Sequence, residues 1–224
     1  MKYISFSLWG DNPKYTIGAI KNLELAQEIY PDWSCKFYIA NDVPKNIIDA
    51  LSSKARVVLL NEKGNWKTAV ERFKTIDDND AEYVIFRDTD SRLSYREKNA
   101  VDEWIASGKT LHIMKDHPNH NGFPILAGMW GLNKTRFNNN IHNMLNSYVN
   151  TESYHYDQIF LAHYIWNLYN NDCYIHDDFY DGKRFTIPRL NYEFIGQVYD
   201  ENDIPHEIYR RVLVNYLENF KGNS

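Results

Sequence analysis

The sequence is poor in the features that mark several protein classes. It has only two cysteines, Cys35 and Cys173, among 224 residues, which is too few for a disulfide framework. No apolar run is long enough to span a bilayer. Its 25 Lys and Arg are outnumbered by 30 Asp and Glu, so no basic field attracts nucleic acid and we expect none as a partner. Residues 3–8 form an apolar strand without the charged region of a signal peptide, so we expect a cytoplasmic protein.

Glycine-rich phosphate-binding motifs are also missing. Neither G-x-G-x-x-G nor G-x-x-x-x-G-K-[ST] occurs, so neither a Rossmann dehydrogenase nor a P-loop NTPase is supported. Aromatic residues, in contrast, are abundant: they make up 15% of the chain, with 17 Tyr and 6 Trp. Such a surplus suits flat, stacking ligands such as bases and sugars, and it equally suits an aromatic core.

The first two-thirds of the chain alternates strand-like and helix-like segments. This alternation predicts an α/β fold, with a mostly parallel central sheet and helices on both faces. Residues 116–131 are rich in Gly and Pro and predict a loop with a short strand, and the chain after residue 172 is mostly irregular apart from a final helix. The predicted strands are residues 3–8, 35–40, 56–60, 83–87 and 111–115. The predicted helices are residues 14–30, 44–52, 65–73, 94–107, 138–148, 156–169 and 205–220.

The sharpest motif follows the fourth strand. Residues 83–86 are apolar or aromatic and lead directly to Asp88 and Asp90, which are separated by Thr89. Ligands of parallel sheets bind at the carboxyl ends of the strands, and two carboxylates placed there can hold one hard divalent cation that bridges to phosphate oxygens. An isolated Asp-x-Asp is also common in solvated loops and helix caps. Its position after an apolar strand favours the metal site.

At this point the chain resembles a known family. The apolar strand and Asp88-Thr89-Asp90 resemble the Asp-x-Asp motif of GT-A-fold glycosyltransferases, which use nucleotide-sugar donors. Residues 124–131 resemble the strand and loop on the acceptor side, and Asp157-Gln158 opens a buried helix as in retaining enzymes of the glycogenin and galactosyltransferase type. The chain also resembles small transferases of bacterial polysaccharide loci and large DNA viruses. The resemblance implies a GT-A-like, Rossmann-like single domain over residues 1–224, with a nucleotide-binding half (1–115) and an acceptor-side half with a tail (116–224).

The resemblance also implies roles for particular residues. Asp88 and Asp90 would hold manganese or magnesium, with His176 as a third ligand, and Asp157 and Gln158 would be catalytic. The predicted nucleotide-binding residues are Leu8, Trp9, Arg72, Asp88, Thr89 and Lys183.

Several of these positions have ordinary structural alternatives. Trp9 could be core, Arg72 could form a surface salt bridge, and Asp157 fits a helix N-cap. His176 and Lys183 could lie in a polar surface loop. His117, which follows the fifth predicted strand, is a further candidate for binding sugar hydroxyls.

These residues together predict a metal-dependent glycosyltransferase. It would move a sugar from a nucleotide donor, with UDP favoured, to an unidentified hydroxyl acceptor such as a glycan, and Asp157-Gln158 favours retention of configuration. A sugar-nucleotide pyrophosphorylase or other nucleotidyltransferase is the alternative enzyme, but residues 9–14 carry only one Gly and one Lys for holding a triphosphate. A non-catalytic carbohydrate-binding protein is the alternative from another class.

Overall fold

A seven-stranded, mostly parallel sheet forms the centre of the molecule in the computed structural model, which describes residues 1–148 and 154–221. The strand order is β3-β2-β1-β4-β6-β5-β7, and β6 runs antiparallel to both of its neighbours. The strands are β1 (Lys2–Leu8), β2 (Ser34–Ile39), β3 (Arg56–Leu59), β4 (Tyr83–Phe86), β5 (Leu111–Lys115), β6 (Trp130–Asn133) and β7 (Cys173–Asp177).

Helices cover both faces of this sheet. Asn12 caps α1 through its side chain and Pro13 occupies the first turn, while Ser94 caps α4 and Gly108, with φ of 68°, ends it. The α-helices are α1 (Pro13–Ile29), α2 (Lys45–Ser52), α3 (Thr68–Glu71), α4 (Tyr95–Ser107), α5 (Ile141–Ser147), α6 (Tyr156–Phe160), α7 (Asn167–Tyr169) and α8 (Glu207–Lys221). A 3-10 helix (Arg72–Asp77) continues α3, and a π-helix (Leu161–Trp166) joins α6 to α7.

The period-two alternation of the central strands divides most of the core into two large clusters, and a third, small cluster contains Met114 and Met129. Val84 and Phe86 of β4 pack with the aromatic side chains of the 3-10 helix and α6, whereas Ile85 packs with α1, α2 and α4. Both sheet faces are therefore covered, as expected for parallel strands. The α/β fold class predicted from the sequence is confirmed.

The structure differs from the predicted elements mainly after residue 124. The strand expected near residues 125–130 is β6 at Trp130–Asn133, and residues 126–129 instead line a cavity. The region after residue 172 contains β7, a short edge strand that pairs with β5 and whose first three residues are only partly buried, and sequence reasoning missed it. The helix expected at residues 65–73 begins at Thr68 and changes to 3-10 geometry at Arg72.

Parallel pairing places the functional segments at one edge of the sheet. β1 and β4 are parallel, so residues that follow Leu8 and Phe86 emerge together. Because β6 is antiparallel, the residues before Trp130 reach the same edge. Within residues 1–148 and 154–221, no helix combines the length and hydrophobicity that a membrane crossing requires.

Candidate active site

A cavity of about 480 Å³ opens at the carboxyl ends of β1 and β4. Most of the residues predicted from the sequence line it together: Leu8, Trp9, Arg72, Asp88, Thr89, Asp90, Asp157 and Gln158. His176 and Lys183 do not line it. These residues thus converge in space, although up to 150 positions separate them in sequence.

Arg72 connects two carboxylates of the cavity. Its guanidinium Nη1 donates to Asp88 Oδ1 at 2.6 Å, and its Nη2 donates to Asp157 Oδ2 at 3.2 Å. The Arg72 backbone is itself anchored to β1, because its N–H donates to Ser7 Oγ and its carbonyl accepts from Ser5 Oγ. The Arg72 side chain is only 4% exposed. It is therefore a fixed positive group, not the surface salt bridge that was the sequence alternative.

Asp90 is paired with a different cation. Lys14 Nζ, from the first turn of α1, lies 2.7 Å from Asp90 Oδ2. Burial and the negative charge of Asp88 raise the pKa of Asp90. Burial also raises the pKa of Asp157, with Arg72 opposing and Asp88 adding to that shift. Three acidic groups therefore share a partly desolvated site in which added positive charge is stabilising.

Asp88 and Asp90 offer oxygen donors that fit a hard divalent cation. Magnesium-type sites commonly use one or two carboxylates and complete the coordination with phosphates and water. No group of three or more His, Cys, Asp or Glu side chains in the described part of the chain is arranged to hold a metal by itself. Gly128 leaves room for the carboxylate of Asp88, since a Cβ at that position would lie 2.0 Å from Asp88 Oδ2.

His176 lies elsewhere, on β7. Its ring is fully buried, with Nδ1 3.0 Å from His112 Nε2 and Nε2 3.2 Å from Glu103 Oε2. Lys183 Nζ contacts the same Glu103 and donates to the hydroxyl of Tyr174 at 2.9 Å. β7 is three strands away from β4, so these side chains are engaged far from Asp88 and Asp90. The structure therefore does not bring His176 or Lys183 to the candidate site, and we leave both out of it.

Aromatic side chains form one wall of the cavity. Trp9 and Trp66 meet edge to face at 6.5 Å, and Trp66 meets Tyr154 at 5.0 Å. Trp66 follows β3 and is 43% exposed. Sequence reasoning missed Trp66 and Tyr154, because each follows a segment with no chemical motif. Leu8 is buried and contributes an apolar part of the cavity wall, and its carbonyl accepts from Ala40 N–H.

Asp42 holds the loops that carry this aromatic wall. Its Oδ1 accepts from Gly10 N–H at 3.0 Å, and its Oδ2 accepts from Gly64 N–H at 3.2 Å. Gly64 also packs directly on the Trp9 side chain, where a Cβ would lie 1.9 Å from the Cβ of Trp9. The loops after β1 and β3 are therefore tied together, which fixes the position of Trp9.

Two histidines after β5 line the cavity and differ in the hydrogen bonds of their ring nitrogens. His117 Nδ1 accepts from Asn119 N–H and its Nε2 lies 2.9 Å from the Tyr209 carbonyl, so both nitrogens are engaged. His120 Nδ1 accepts from Asp116 N–H at 3.1 Å, which requires Nε2 to carry the proton of the neutral ring. Within the described ranges, His120 Nε2 has no hydrogen-bond partner. Burial lowers the pKa of His120 to about 3. His120, rather than the predicted His117, can therefore donate a hydrogen bond to a ligand, through Nε2–H.

Comparison with known proteins establishes the fold. No protein-family model and no curated protein sequence matches the chain. TarS 1-349 of S. aureus, in complex with UDP, is similar over 79% of this chain and 58% of that chain, with a TM-score of 0.54 and 13% identity. A glycosyltransferase involved in the glycosylation of the major capsid of PBCV-1 is similar over 79% of this chain and 81% of that chain (TM-score 0.50, 15% identity). The 4-diphosphocytidyl-2C-methyl-D-erythritolsynthase from Anaerococcus prevotii is similar over 79% and 86% (TM-score 0.51, 12% identity).

These likenesses concern the architecture of the chain. The matching region is little more than half of the TarS chain. Identities of 12% to 15% are too low to carry function with them, and one fold hosts several chemistries. The chain has the GT-A-like α/β fold that the sequence predicted.

Proposed function

We propose that this protein is a metal-dependent glycosyltransferase that uses a nucleotide-sugar donor, with UDP as the nucleotide. The observation that carries the proposal is the placement of Asp88 and Asp90 at the end of β4 in one cavity with Arg72 and Asp157. A divalent cation bound by the two aspartates would neutralise the diphosphate leaving group. The UDP complex of TarS 1-349, a protein of similar fold, supports the choice of nucleotide.

Arg72 and Asp157 have separate roles in the proposed reaction. Arg72 holds Asp157 in one orientation and lends positive charge next to the phosphates. Asp157 accepts from Gln158 N–H through Oδ1 and from Arg72 through Oδ2, so its carboxylate is held in one orientation. Its negative charge suits stabilisation of the positive charge that develops at the anomeric carbon. This arrangement supports the retaining mechanism, with the acceptor proton passing to the leaving phosphate.

The nucleotide base would lie against the aromatic wall. Trp9 and Trp66 are positioned by Asp42 at the ends of β1 and β3, and a π-face there stabilises any base by stacking. The acceptor, a glycan or another hydroxyl compound, would enter past Tyr154 and His120. His120 Nε2–H can donate to a hydroxyl or ring oxygen at that side of the cavity.

Nucleotidyl transfer is the competing enzyme activity, and one structural neighbour is a synthase of a diphosphocytidyl compound. The loop between β1 and α1 argues against it. Residues 9–14 carry a single glycine, Gly10, whose N–H already donates to Asp42, and a single lysine, so this segment offers few groups for a triphosphate.

Calorimetric titration with UDP, with and without manganese, tests the proposal. We expect UDP binding that requires manganese, and release of UDP from at least one UDP-sugar in a donor screen. Asp90→Asn should abolish both without unfolding the protein, since it is nearly isosteric. Asp49→Asn, which removes an exposed helical ion pair with Lys45, is the matched control and should behave like wild type.

Three results would contradict the proposal. Preference for a triphosphate over UDP would favour nucleotidyl transfer. Binding of neither metal nor nucleotide would favour a carbohydrate-binding protein. Full metal-stimulated turnover in folded Asp90→Asn would show that Asp90 is not a metal ligand.

A further inference from the structure

Lys14 and Arg72 neutralise the cavity carboxylates in very different ways. Arg72 is 4% exposed and makes three hydrogen bonds, to Asp88, Asp157 and the Arg87 carbonyl. Lys14 has a side chain that is 29% exposed, and its Nζ is held by Asp90 at 2.7 Å and more weakly by the Tyr15 hydroxyl at 3.5 Å. Arg72 is fixed by its surroundings, whereas the flexible stem of Lys14 can move without opening the core.

The backbone beneath Lys14 is rigidly attached to the Asp88–Asp90 loop. Asn22 of α1 donates to the carbonyls of Thr89 and Ser91 at 3.2 and 2.8 Å, and its Oδ1 accepts from Leu93 N–H. Gly18 packs so closely that a Cβ would lie 2.2 Å from the Thr89 carbonyl oxygen. The Cα of Lys14 therefore keeps its place relative to Asp90, and only the side chain is left to respond to a ligand.

Charge balance dictates that response. An ammonium 2.7 Å from Asp90 stabilises the carboxylate while no other cation is present. A divalent ion on the same carboxylate would repel the Lys14 ammonium, and the diphosphate that accompanies the ion would attract this ammonium. The phosphates must lie near Asp88 and Asp90 if those residues share their cation, which puts them within reach of a lysine that already touches Asp90.

We propose that Lys14 is an exchangeable counter-ion of this site and its phosphate-binding lysine. It neutralises Asp90 in the ligand-free protein and transfers its ammonium to the diphosphate when metal and nucleotide bind. This inference rests on the proposed function and adds a phosphate ligand that replaces Lys183. It also makes free metal a poor ligand on its own, because Lys14 competes with it until a nucleotide arrives.

The exchange predicts opposite effects of one substitution on two affinities. In Lys14→Met, which keeps the apolar stem, manganese without nucleotide should bind about tenfold more tightly, since its competitor is gone. UDP in saturating manganese should bind about tenfold more weakly, since one charge-assisted hydrogen bond is lost. Free manganese is counted by its electron paramagnetic resonance signal, and UDP binding is measured by calorimetry.

Lys21→Met is the matched control. Lys21 lies on the same helix and pairs with Asp203, away from the cavity, so the variant removes the same charge. Both of its affinities should equal those of wild type. The Lys14 effects should also persist in about 0.5 M salt, because a contact pair is screened far less than a long-range field.

The outcomes separate this inference from the proposed function. If wild type binds UDP with manganese but Lys14→Met leaves the manganese affinity unchanged or reduces it, the exchange is wrong and the glycosyltransferase proposal stands. An unchanged UDP affinity in the variant overturns it equally. If wild type fails to bind UDP with manganese, both proposals fall.

Discussion

Gly128 allows the role of Asp88 to be tested without altering Asp88 itself. The residue precedes β6 and its φ is not in the left-handed region, so alanine is compatible with the backbone there. A Cβ at Gly128 would lie 2.0 Å from Asp88 Oδ2 and 2.5 Å from its Cγ. We expect Gly128→Ala to displace the Asp88 carboxylate and thereby to abolish most metal-dependent binding.

The size of the effect follows from these distances. Real Cβ contacts essentially never fall below 3.0 Å, so Oδ2 must retreat by at least about 1 Å. A displacement of about 1 Å at a reacting centre costs on the order of a hundredfold in rate. The cost in stability is much smaller, about 1 kcal/mol, because the 51% exposed Asp88 side chain can turn towards solvent while the buried Arg72 keeps Asp157 and the Arg87 carbonyl as partners.

Two measurements on the same sample would show that Gly128→Ala reduces function but not stability. Denaturant unfolding should give a free energy of unfolding within about 1 kcal/mol of wild type, while turnover and manganese-dependent UDP binding fall on the order of a hundredfold. Gly122→Ala is the control in the same loop, since no described atom lies within 4 Å of a Cβ built there. Wild-type UDP binding in folded Gly128→Ala would refute the assignment of Asp88, as would an equal loss in Gly122→Ala.

Three further predictions concern other residues of the protein. His120→Asn keeps an acceptor for the Asp116 N–H but removes the Nε2–H donor. The KM for the acceptor substrate should therefore rise about three- to tenfold, while the midpoint of unfolding is unchanged. An unaltered KM would exclude contact between His120 and the acceptor. Trp66→Ala should weaken UDP binding about tenfold with little loss of stability, measured by calorimetry and thermal unfolding, because Trp66 is 43% exposed; unchanged affinity would place the base elsewhere. Burial and the neighbouring His176 hold the pKa of His112 well below 6.5, so the unfolded chain binds its proton first as pH falls. His112 should therefore lower the free energy of unfolding as the pH falls below about 6.5, by at most about 1.4 kcal/mol per pH unit, and His112→Gln should remove this part of the loss.

Local sequence patterns were sufficient for the first half of the fold. Alternating apolar strands and amphipathic helices predicted β1 to β5, and the apolar run before Asp88-Thr89-Asp90 predicted the end of β4. These patterns work because period and capping are local properties of the chain. β7 was missed because it is short and its first three residues are only partly buried, so its hydrophobic pattern is weak, and His176 was therefore expected in an irregular segment instead of on a strand.

The sequence by itself determined the fold class and the carboxylate motif, because a strand-end Asp-x-Asp carries its own chemical meaning. Tertiary structure alone decided which distant groups share the cavity. Arg72 meets Asp157 across 85 positions, and Lys14 meets Asp90 through the packing of α1 on the loop. Ion pairs between remote segments depend on how helices sit on the sheet, which no local pattern encodes. The backbone engages both ring nitrogens of His117 but, within the described residues, only Nδ1 of His120, and no local pattern distinguishes the two histidines.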